Sequence, residues 1–287
     1  MNFGDLPEKY CSPESSKVVI LPVPYDETST WIKGADKGPE AIIEASANME
    51  VYDIDTDSEA YLMGIYTAEP VTENSSPEAM VKAVRDRVKQ YLKKNKFVVT
   101  LGGEHTIAIG SIQAHAAHYE DLTVVQIDAH ADLRDEYMGS KNNHACVMAR
   151  IKEIAPIIQI GIRSMSVEET ENIKAGSIYY AHEIMDGKIW MYEMLSQLGK
   201  NVYITFDLDA FDPSIMPSTG TPEPGGLLWY QTIEMVQRIF EKSNVVGFDV
   251  NELCPNHYNK APDFLAARLI YKMLAFKFGE QVAKKKK

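Results

Sequence analysis

The feature that most limits the fold of this chain is a set of six short runs rich in valine and isoleucine, separated by longer amphipathic stretches. The runs are apolar at nearly every position, which is typical of strands that are covered on both faces of a parallel sheet. Regular alternation of such strands with helices along the whole chain predicts an α/β fold with a mainly parallel central sheet. The predicted strands span residues 17–22, 97–101, 122–128, 157–162, 202–207 and 245–250.

Three amphipathic segments predict helices between these strands. Ser76 followed by Pro77 is typical of a helix start. The next turns place four apolar side chains on one face, those of Val81, Val84, Val88 and Leu92. A second helix is predicted to begin near Tyr230, and a third to span 262–277 with Gly279 as its C-terminal stop. Because no repeat or change of composition marks a boundary, residues 1–287 are predicted to form a single domain.

Charge and composition limit the partners of the chain. It carries 29 basic and 41 acidic side chains, a formal net charge of −12. Such a balance argues against nucleic acid as a partner and leaves room for a cationic substrate. No apolar run is long enough to cross a bilayer, the N-terminus does not resemble a signal peptide, and the three cysteines form no CxxC motif. We therefore predict a cytoplasmic protein that does not contact membranes, with the lysines at 284–287 as a solvated tail rather than a partner-binding patch.

Polar residues gather where the predicted strands end, which is the edge of an open α/β sheet where ligands bind. Asp128, His130 and Asp132 follow one strand at alternate positions, and Asp207 and Asp209 repeat this spacing after another. Residues two apart in an extended segment point the same way, so each set can converge on one point. A lone member would more often be a turn-forming or capping residue, but three possible ligands in strict alternation favour a metal site.

His105 is the sixth candidate ligand. It ends the motif Gly-Gly-Glu-His at 102–105, where two glycines permit a tight turn after a strand. This motif is neither a P-loop nor a dinucleotide fingerprint. The acidic segment at 207–213 is not an EF-hand loop, because Asp212 stands at the sixth position, where such a loop needs glycine. Four carboxylates and two imidazoles suffice for two divalent ions, which would share a hydroxide nucleophile when about 3.5–4 Å apart. Oxygen-rich ligation favours Mn²⁺ over Zn²⁺, although the residues alone leave the metal open.

Taken in this order, the motifs resemble those of the ureohydrolase family of arginases and agmatinases. The resemblance covers most of the chain and includes further matches at 34–39, 220–222 and 225–226. It implies a three-layer α/β/α fold, a site for two Mn²⁺ ions, and assembly as a trimer or hexamer. It also implies six metal ligands. The terminal-type ligands are His105, Asp128, Asp132 and Asp209, and two further ligands, His130 and Asp207, complete the set. The bridging roles are left open.

Two residues outside the ligand set also match the family. His144 matches its proton-shuttling histidine, and a histidine titrates near the pH at which a departing amine must gain a proton. Glu252 matches the acid that holds the substrate guanidinium, since a carboxylate accepts two parallel N–H bonds. The alternatives are a surface histidine near a helix start and a loop acid at a strand end. The chain departs from the family pattern at Glu104, where many members have aspartate. Asp212 is interpreted as turn-forming or as a support to the ligands.

The implied reaction is hydroxide attack on the guanidinium carbon of a small cationic substrate, which yields urea and an amine. The loop at 133–143 carries Asp135 and Glu136, either of which could meet the ammonium of agmatine, although Arg134 and Lys141 in the same loop weaken this argument. We therefore favour agmatine, cleaved to urea and putrescine in polyamine biosynthesis, over arginine or a guanidino acid. A non-catalytic metal-binding homologue is a third hypothesis, which the full set of six ligands disfavours.

Overall fold

A computed structural model describes residues 1–185 and 187–285 of the chain. Within these described residues, eight strands form one sheet, in which every neighbouring pair is parallel. In chain order they are β1 Val18–Val23, β2 Ile65–Thr67, β3 Phe97–Gly102, β4 Leu122–Ile127, β5 Ile157–Ile162, β6 Ile178–Tyr180, β7 Asn201–Asp207 and β8 Asn244–Asn251. Their order across the sheet is β2-β1-β3-β8-β7-β4-β5-β6.

In the described part of the chain, seven α-helices cover both faces of this sheet. They are α1 Gly38–Ser46, α2 Pro77–Leu92, α3 Ile107–Ala116, α4 Val147–Ile151, α5 Ile189–Ser196, α6 Trp229–Lys242 and α7 Ala261–Lys285. Apolar side chains of α1, α5, α6 and α7 form one core with the sheet, and those of α2, α3 and α4 form a second. The predicted three-layer α/β/α fold with a parallel sheet is therefore confirmed.

The six predicted strands are the six interior strands of the sheet, and the two edge strands were not predicted. Each edge strand has three residues and is only partly buried, so neither produces an apolar run that stands out in the sequence. The interior strands β1, β3, β4, β5 and β7 are buried at every position, which explains their continuous apolar character.

The predicted start of α2 is confirmed, because the Ser76 side chain accepts the backbone N–H of Ala79. The predicted end of the last helix at Gly279 is wrong, since α7 continues to Lys285. A Cβ at Gly279 would lie 2.8 Å from Ser58 Oγ, so the glycine permits close packing against a loop instead of ending the helix. Of the predicted lysine tail, residues 286 and 287 lie outside the described residues.

Among the described residues, none of the helices combines the length and the apolar character needed to cross a membrane.

The strand order places four strands, β3, β8, β7 and β4, side by side at the centre of the sheet. Because all are parallel, their carboxyl ends lie next to one another along one edge of the sheet. The loops after β1 and β3 are pressed together there: Gly103 donates its N–H to Val23 O, and a Cβ on Gly103 would lie 1.8 Å from Tyr25 O. Glu252, just past β8, donates its backbone N–H to Gly103 O at 2.8 Å. This close approach fixes the strand ends that carry the polar motifs.

Candidate active site

The first group of candidate ligands surrounds His105, which is almost fully buried. Its Nδ1 lies 2.9 Å from Asp132 Oδ2, 3.2 Å from Asp128 Oδ2 and 3.6 Å from Asp207 Oδ2. These residues come from the ends of β3, β4 and β7, which meet at the same edge of the sheet. Asp132 has a positive φ of 52°, so its backbone leaves the extended conformation at the point where its side chain joins the group.

The second group surrounds His130, whose side chain is about a quarter exposed. His130 Nδ1 lies 2.9 Å from Asp209 Oδ2 and 3.7 Å from Asp128 Oδ1. Asp128 thus belongs to both groups, with one oxygen towards His105 and the other towards His130. The structure brings all six predicted ligands together around two neighbouring points.

The four carboxylates of this cluster are unfavourably close to one another in a buried place. Burial, together with the neighbouring Asp128 carboxylate, raises the pKa of Asp132 above its usual range. Burial, followed by the charges of Asp209 and Asp128, raises the pKa of Asp207 well above its usual range. In addition, the buried Nδ1 of His105 has no partner in hydrogen-bonding geometry among the described residues. Four carboxylates and two imidazoles in this arrangement are a donor set that fits two divalent cations.

A hydrogen-bonded chain determines which nitrogen of His105 faces the cluster. His105 Nε2 contacts Thr205 Oγ1 at 2.8 Å, and the Thr205 hydroxyl donates to Asp249 Oδ1 at 2.7 Å. The buried Asp249 carboxylate also accepts bonds from Tyr203 and Asn251. Because the single Thr205 proton goes to Asp249, Nε2 must donate to Thr205, and the unprotonated Nδ1 is left for a metal.

Sequence reasoning missed Thr205 as a supporting residue, and it also missed Gln126. Gln126 Nε2 donates to Asp128 Oδ2 at 2.7 Å. Both residues are polar positions in apolar strands, two places before a candidate ligand, and the period of a strand puts them on the same face as that ligand. This spacing is a signal from which both supporting residues could have been found.

A cavity of about 310 Å³ lies over the two groups, near the small end of ordinary ligand pockets. Five of the six candidate ligands line it, as do His144 and Glu252. Glu252 is buried and has a positive φ of 69°, a strained conformation for a glutamate. Its Oε1 accepts the backbone N–H of His105 at 2.7 Å, which holds the carboxylate beside the candidate ligands.

His144 is mostly buried, and burial lowers the pKa of its imidazole to about 4, assisted by the charges of His130 and His105. The side chain is therefore neutral near neutral pH and able to accept a proton. Its Nδ1 lies 3.0 Å from the Thr28 hydroxyl, and its ring meets that of Tyr137 edge to face.

The structure does not bring Asp135 and Glu136 into the cavity. Both lie in the described part of the chain, are exposed and are absent from the cavity lining. The Asp135 carboxylate instead pairs with Arg150 at 2.6 Å, because the loop turns this side chain towards α4. Besides the candidate ligands and Glu252, the described lining residues include one further carboxylate, that of Glu169. Sequence reasoning missed this residue.

Asp212 lies in a turn beside the site. Its carboxylate accepts the backbone N–H groups of Ser214, Gly225 and Gly226 at 3.0–3.1 Å. These bonds lower the pKa of Asp212 to about 2, with the bonds from Ser214 contributing most. This agrees with the interpretation of Asp212 as turn-forming.

Comparison with known proteins gives a consistent result. Residues 16–275 match the arginase family. The chain is 40% identical to an N(1)-aminopropylagmatine ureohydrolase of Synechocystis sp., over 97% of this chain and 94% of that protein. It is 33% identical to an agmatinase of Pyrococcus horikoshii, over 88% and 89% of the two chains. The crystal structure of an agmatine ureohydrolase of Thermoplasma volcanium is similar with a TM-score of 0.85 and 30% identity, over 93% and 92% of the two chains.

Proposed function

This chain belongs to the arginase family, and on that premise we propose that it is a ureohydrolase that cleaves the guanidinium group of agmatine to urea and putrescine. One observation carries the proposal: two carboxylate–imidazole groups share Asp128 at the base of a small cavity that also contains Glu252 and His144. This arrangement offers ligands, a guanidinium acceptor and a proton carrier within one enclosed space.

We propose that the native cofactor is a pair of Mn²⁺ ions. The candidate ligands are His105, Asp128, His130, Asp132, Asp207 and Asp209, which supply four carboxylates and two imidazoles. When bound, the ion pair supplies an ionised water for attack on the guanidinium carbon and stabilises the negative charge that develops. The oxygen-rich donor set favours Mn²⁺ over Zn²⁺.

Glu252 and His144 act directly on the substrate and its proton. The Glu252 carboxylate accepts N–H bonds from the planar guanidinium and orients its carbon towards the ligand groups. The neutral His144 imidazole accepts a proton from the reaction centre and returns it as the amine departs. The lowered pKa keeps His144 neutral near pH 7.

At the far end of the cavity we assign the ammonium of the substrate to Glu169. The neighbouring Arg134 is held 3.6 Å from Glu168 and 4.0 Å from Glu169, and it stacks over the Tyr137 ring. Pairing with these acids reduces the repulsion that Arg134 would exert on a second cation. The Glu169 carboxylate, which lines the cavity, suits the ammonium of an amine substrate better than the carboxylate of an amino acid or guanidino acid.

A second candidate substrate is N1-aminopropylagmatine, which would yield urea and the aminopropyl derivative of putrescine. The observation that favours it is the higher identity to the Synechocystis relative of that name, 40%, compared with 33% to the Pyrococcus agmatinase. The exposed Trp31 in the cavity lining offers an apolar surface for the additional aminopropyl group.

A urea-release assay with Mn²⁺-loaded protein tests these assignments. The panel contains agmatine, N1-aminopropylagmatine, arginine and a guanidino acid, with Asp128→Asn protein as the blank. We expect the highest kcat/KM for agmatine. A higher value for N1-aminopropylagmatine would replace the first candidate with the second, and a higher value for arginine would contradict both. No urea from any compound would contradict the proposed function and favour a non-catalytic homologue.

We further propose that residues 1–287 act as a single domain, because one sheet carries all the candidate ligands. Family resemblance supports a homo-oligomer, either a trimer or a hexamer. The reducing setting that fits three unpaired cysteines supports a cytoplasmic location, and the acidic net charge of −12 argues against nucleic acid or anionic membranes as partners.

A further inference from the structure

A chain of hydrogen bonds joins Glu104 to His144 through Thr28. The Thr28 Oγ1 lies 2.9 Å from Glu104 Oε1 and 3.0 Å from His144 Nδ1. We propose that Glu104 and Thr28 are positioning residues that fix the tautomer and the ring orientation of His144. The inference rests on the proposed function, which assigns proton transfer to this histidine.

The first step is to locate the proton of the Thr28 hydroxyl. The Glu104 carboxylate receives both the backbone N–H and the hydroxyl of Thr28, at 3.3 and 2.9 Å. It also receives the backbone N–H and the hydroxyl of Thr106, at 2.9 and 2.6 Å. Four donors thus surround two oxygens that offer about four lone-pair sites, which is the full complement of an ionised carboxylate. The Thr28 proton is therefore directed to Glu104.

The second step follows for His144. With its proton committed to Glu104, Thr28 Oγ1 faces the histidine as an acceptor, and it already receives the backbone N–H of His144 at 3.1 Å. The ring can bond to this oxygen only if Nδ1 carries the proton. The neutral imidazole is then protonated on Nδ1, and Nε2 is the nitrogen that remains basic. The opposite tautomer would set two lone pairs against each other in a partly buried place.

The glutamate at position 104 provides the reach for this arrangement. Its side chain is fully buried, and one oxygen contacts Thr28 while the other contacts Thr106. Thr28 lies in the loop after β1 and His144 lies before α4, so the network crosses between segments 116 residues apart. A shorter acid in this position would have to give up one of the two hydroxyl contacts.

The test compares Thr28→Val with Thr28→Ser in Mn²⁺-loaded protein. Valine keeps the shape of the side chain and removes the hydroxyl, whereas serine keeps the hydroxyl. We expect Thr28→Val to lower kcat about tenfold, a fraction of what proton transfer usually contributes, with metal content unchanged. Thr28→Ser is expected to stay within about twofold of the wild type. An unchanged kcat in Thr28→Val would overturn the proposal, as would equal losses in both variants.

A double-mutant cycle separates positioning from general loss of structure. In a His144→Asn background, we expect Thr28→Val to cause no further decrease in kcat. Glu104→Gln replaces the acceptor with an amide that can donate to Thr28, and its effect should not add to that of Thr28→Val. Independent effects in either cycle would show that the contacts stabilise the loops without acting through His144.

A spectroscopic readout does not depend on turnover. Nitrogen-15 spectra of the imidazoles in Zn²⁺-loaded protein distinguish the two tautomers, and the signal of His144 is identified by its loss in His144→Asn. We expect protonation on Nδ1 in the wild type and a mixture of tautomers in Thr28→Val. Protonation on Nε2 in the wild type would overturn the inference. If no guanidino compound is cleaved, the proposed function fails, while this spectrum still decides the positioning claim.

Discussion

The floor and the mouth of the cavity are built from different parts of the fold. The floor consists of the six candidate metal ligands, which follow the interior strands β3, β4 and β7 and are nearly all buried. The mouth consists of loop side chains, Trp31, Tyr137, Met165 and Glu169, of which Trp31 is 70% exposed. At the floor each side chain is held by strand geometry, and at the mouth each depends on how a loop packs.

This difference suggests that the residues of the floor carry out the reaction and that the residues of the mouth select the substrate. Floor residues are supported by further buried groups, such as Gln126 on Asp128 and Thr205 on His105. At the mouth, the Glu169 carboxylate accepts the backbone N–H groups of Leu133 and Ser166 at 2.8 and 2.7 Å. Substitutions at the floor should therefore abolish the reaction, and substitutions at the mouth should change only how well a substrate binds.

The largest effect is expected for Asp128→Asn, which removes the carboxylate shared by both ligand groups. We expect loss of bound metal and a decrease in kcat well over about 10³-fold, because the metal-free site cannot ionise water near neutral pH. Metal analysis and urea release measure the two effects together. Asp212→Asn, in the adjacent turn, is the control and should keep its metal. Full metal content in Asp128→Asn would show that metal binding does not depend on the shared carboxylate, which would contradict the role given to the floor of the cavity.

His144→Asn is expected to separate catalysis from metal binding. The variant should retain its metal and lose about 10²-fold or more in kcat, the usual contribution of a positioned acid–base group. Elemental analysis and steady-state rates on the same sample provide the measurement. If this variant loses metal, His144 belongs to the ligand set of the floor.

Thr205→Val tests whether the floor depends on its support. Without the hydroxyl, His105 Nε2 loses its acceptor and the ring is free to rotate, so we expect metal affinity to fall about 10–100-fold. Competition with a chelator measures this affinity. Thr205→Ser retains the hydroxyl and serves as the matched control; an equal loss in both would point to packing rather than to hydrogen bonding.

The smallest effect is expected at the mouth. Glu169→Gln should raise KM for agmatine up to about fivefold with little change in kcat, because it removes one charge interaction with the substrate, and a fivefold change corresponds to about 1 kcal/mol. Glu171→Gln changes an exposed acid of the same segment that is outside the cavity lining and should leave KM unchanged. A fall in kcat as large as that of His144→Asn would show that Glu169 belongs with the floor.

The same division explains which features could be predicted. The interior strands follow from apolar runs, and five of the six candidate ligands were found from alternate spacing after a strand. The backbone leaves the extended conformation at Asp132 and at 208–210, so the ligands of each set are divided between the two groups.

Asp135 and Glu136 were assigned to the cavity from their place in the loop between the ligand segment and His144, but the place of a loop does not determine where its side chains point, and Arg150 draws Asp135 away. Thr28 and Glu169 contact residues far along the chain, and nothing near them in the sequence indicates those contacts.

Gly279 illustrates a different limit. A glycine after an amphipathic run is compatible with a helix stop and also with close packing, and only the position of Ser58 decides between them. The edge strands β2 and β6 were missed for a related reason, because three partly exposed residues produce no pattern by themselves.

The most direct test of the account is the number of Mn²⁺ ions that each chain holds at full activity. Protein saturated with Mn²⁺ and freed of excess ion would be analysed for metal per chain alongside urea release from agmatine. The arrangement of His105 and His130 on either side of Asp128 predicts two ions per chain, both lost in Asp128→Asn. A fully active preparation with one ion per chain, or none, would contradict it.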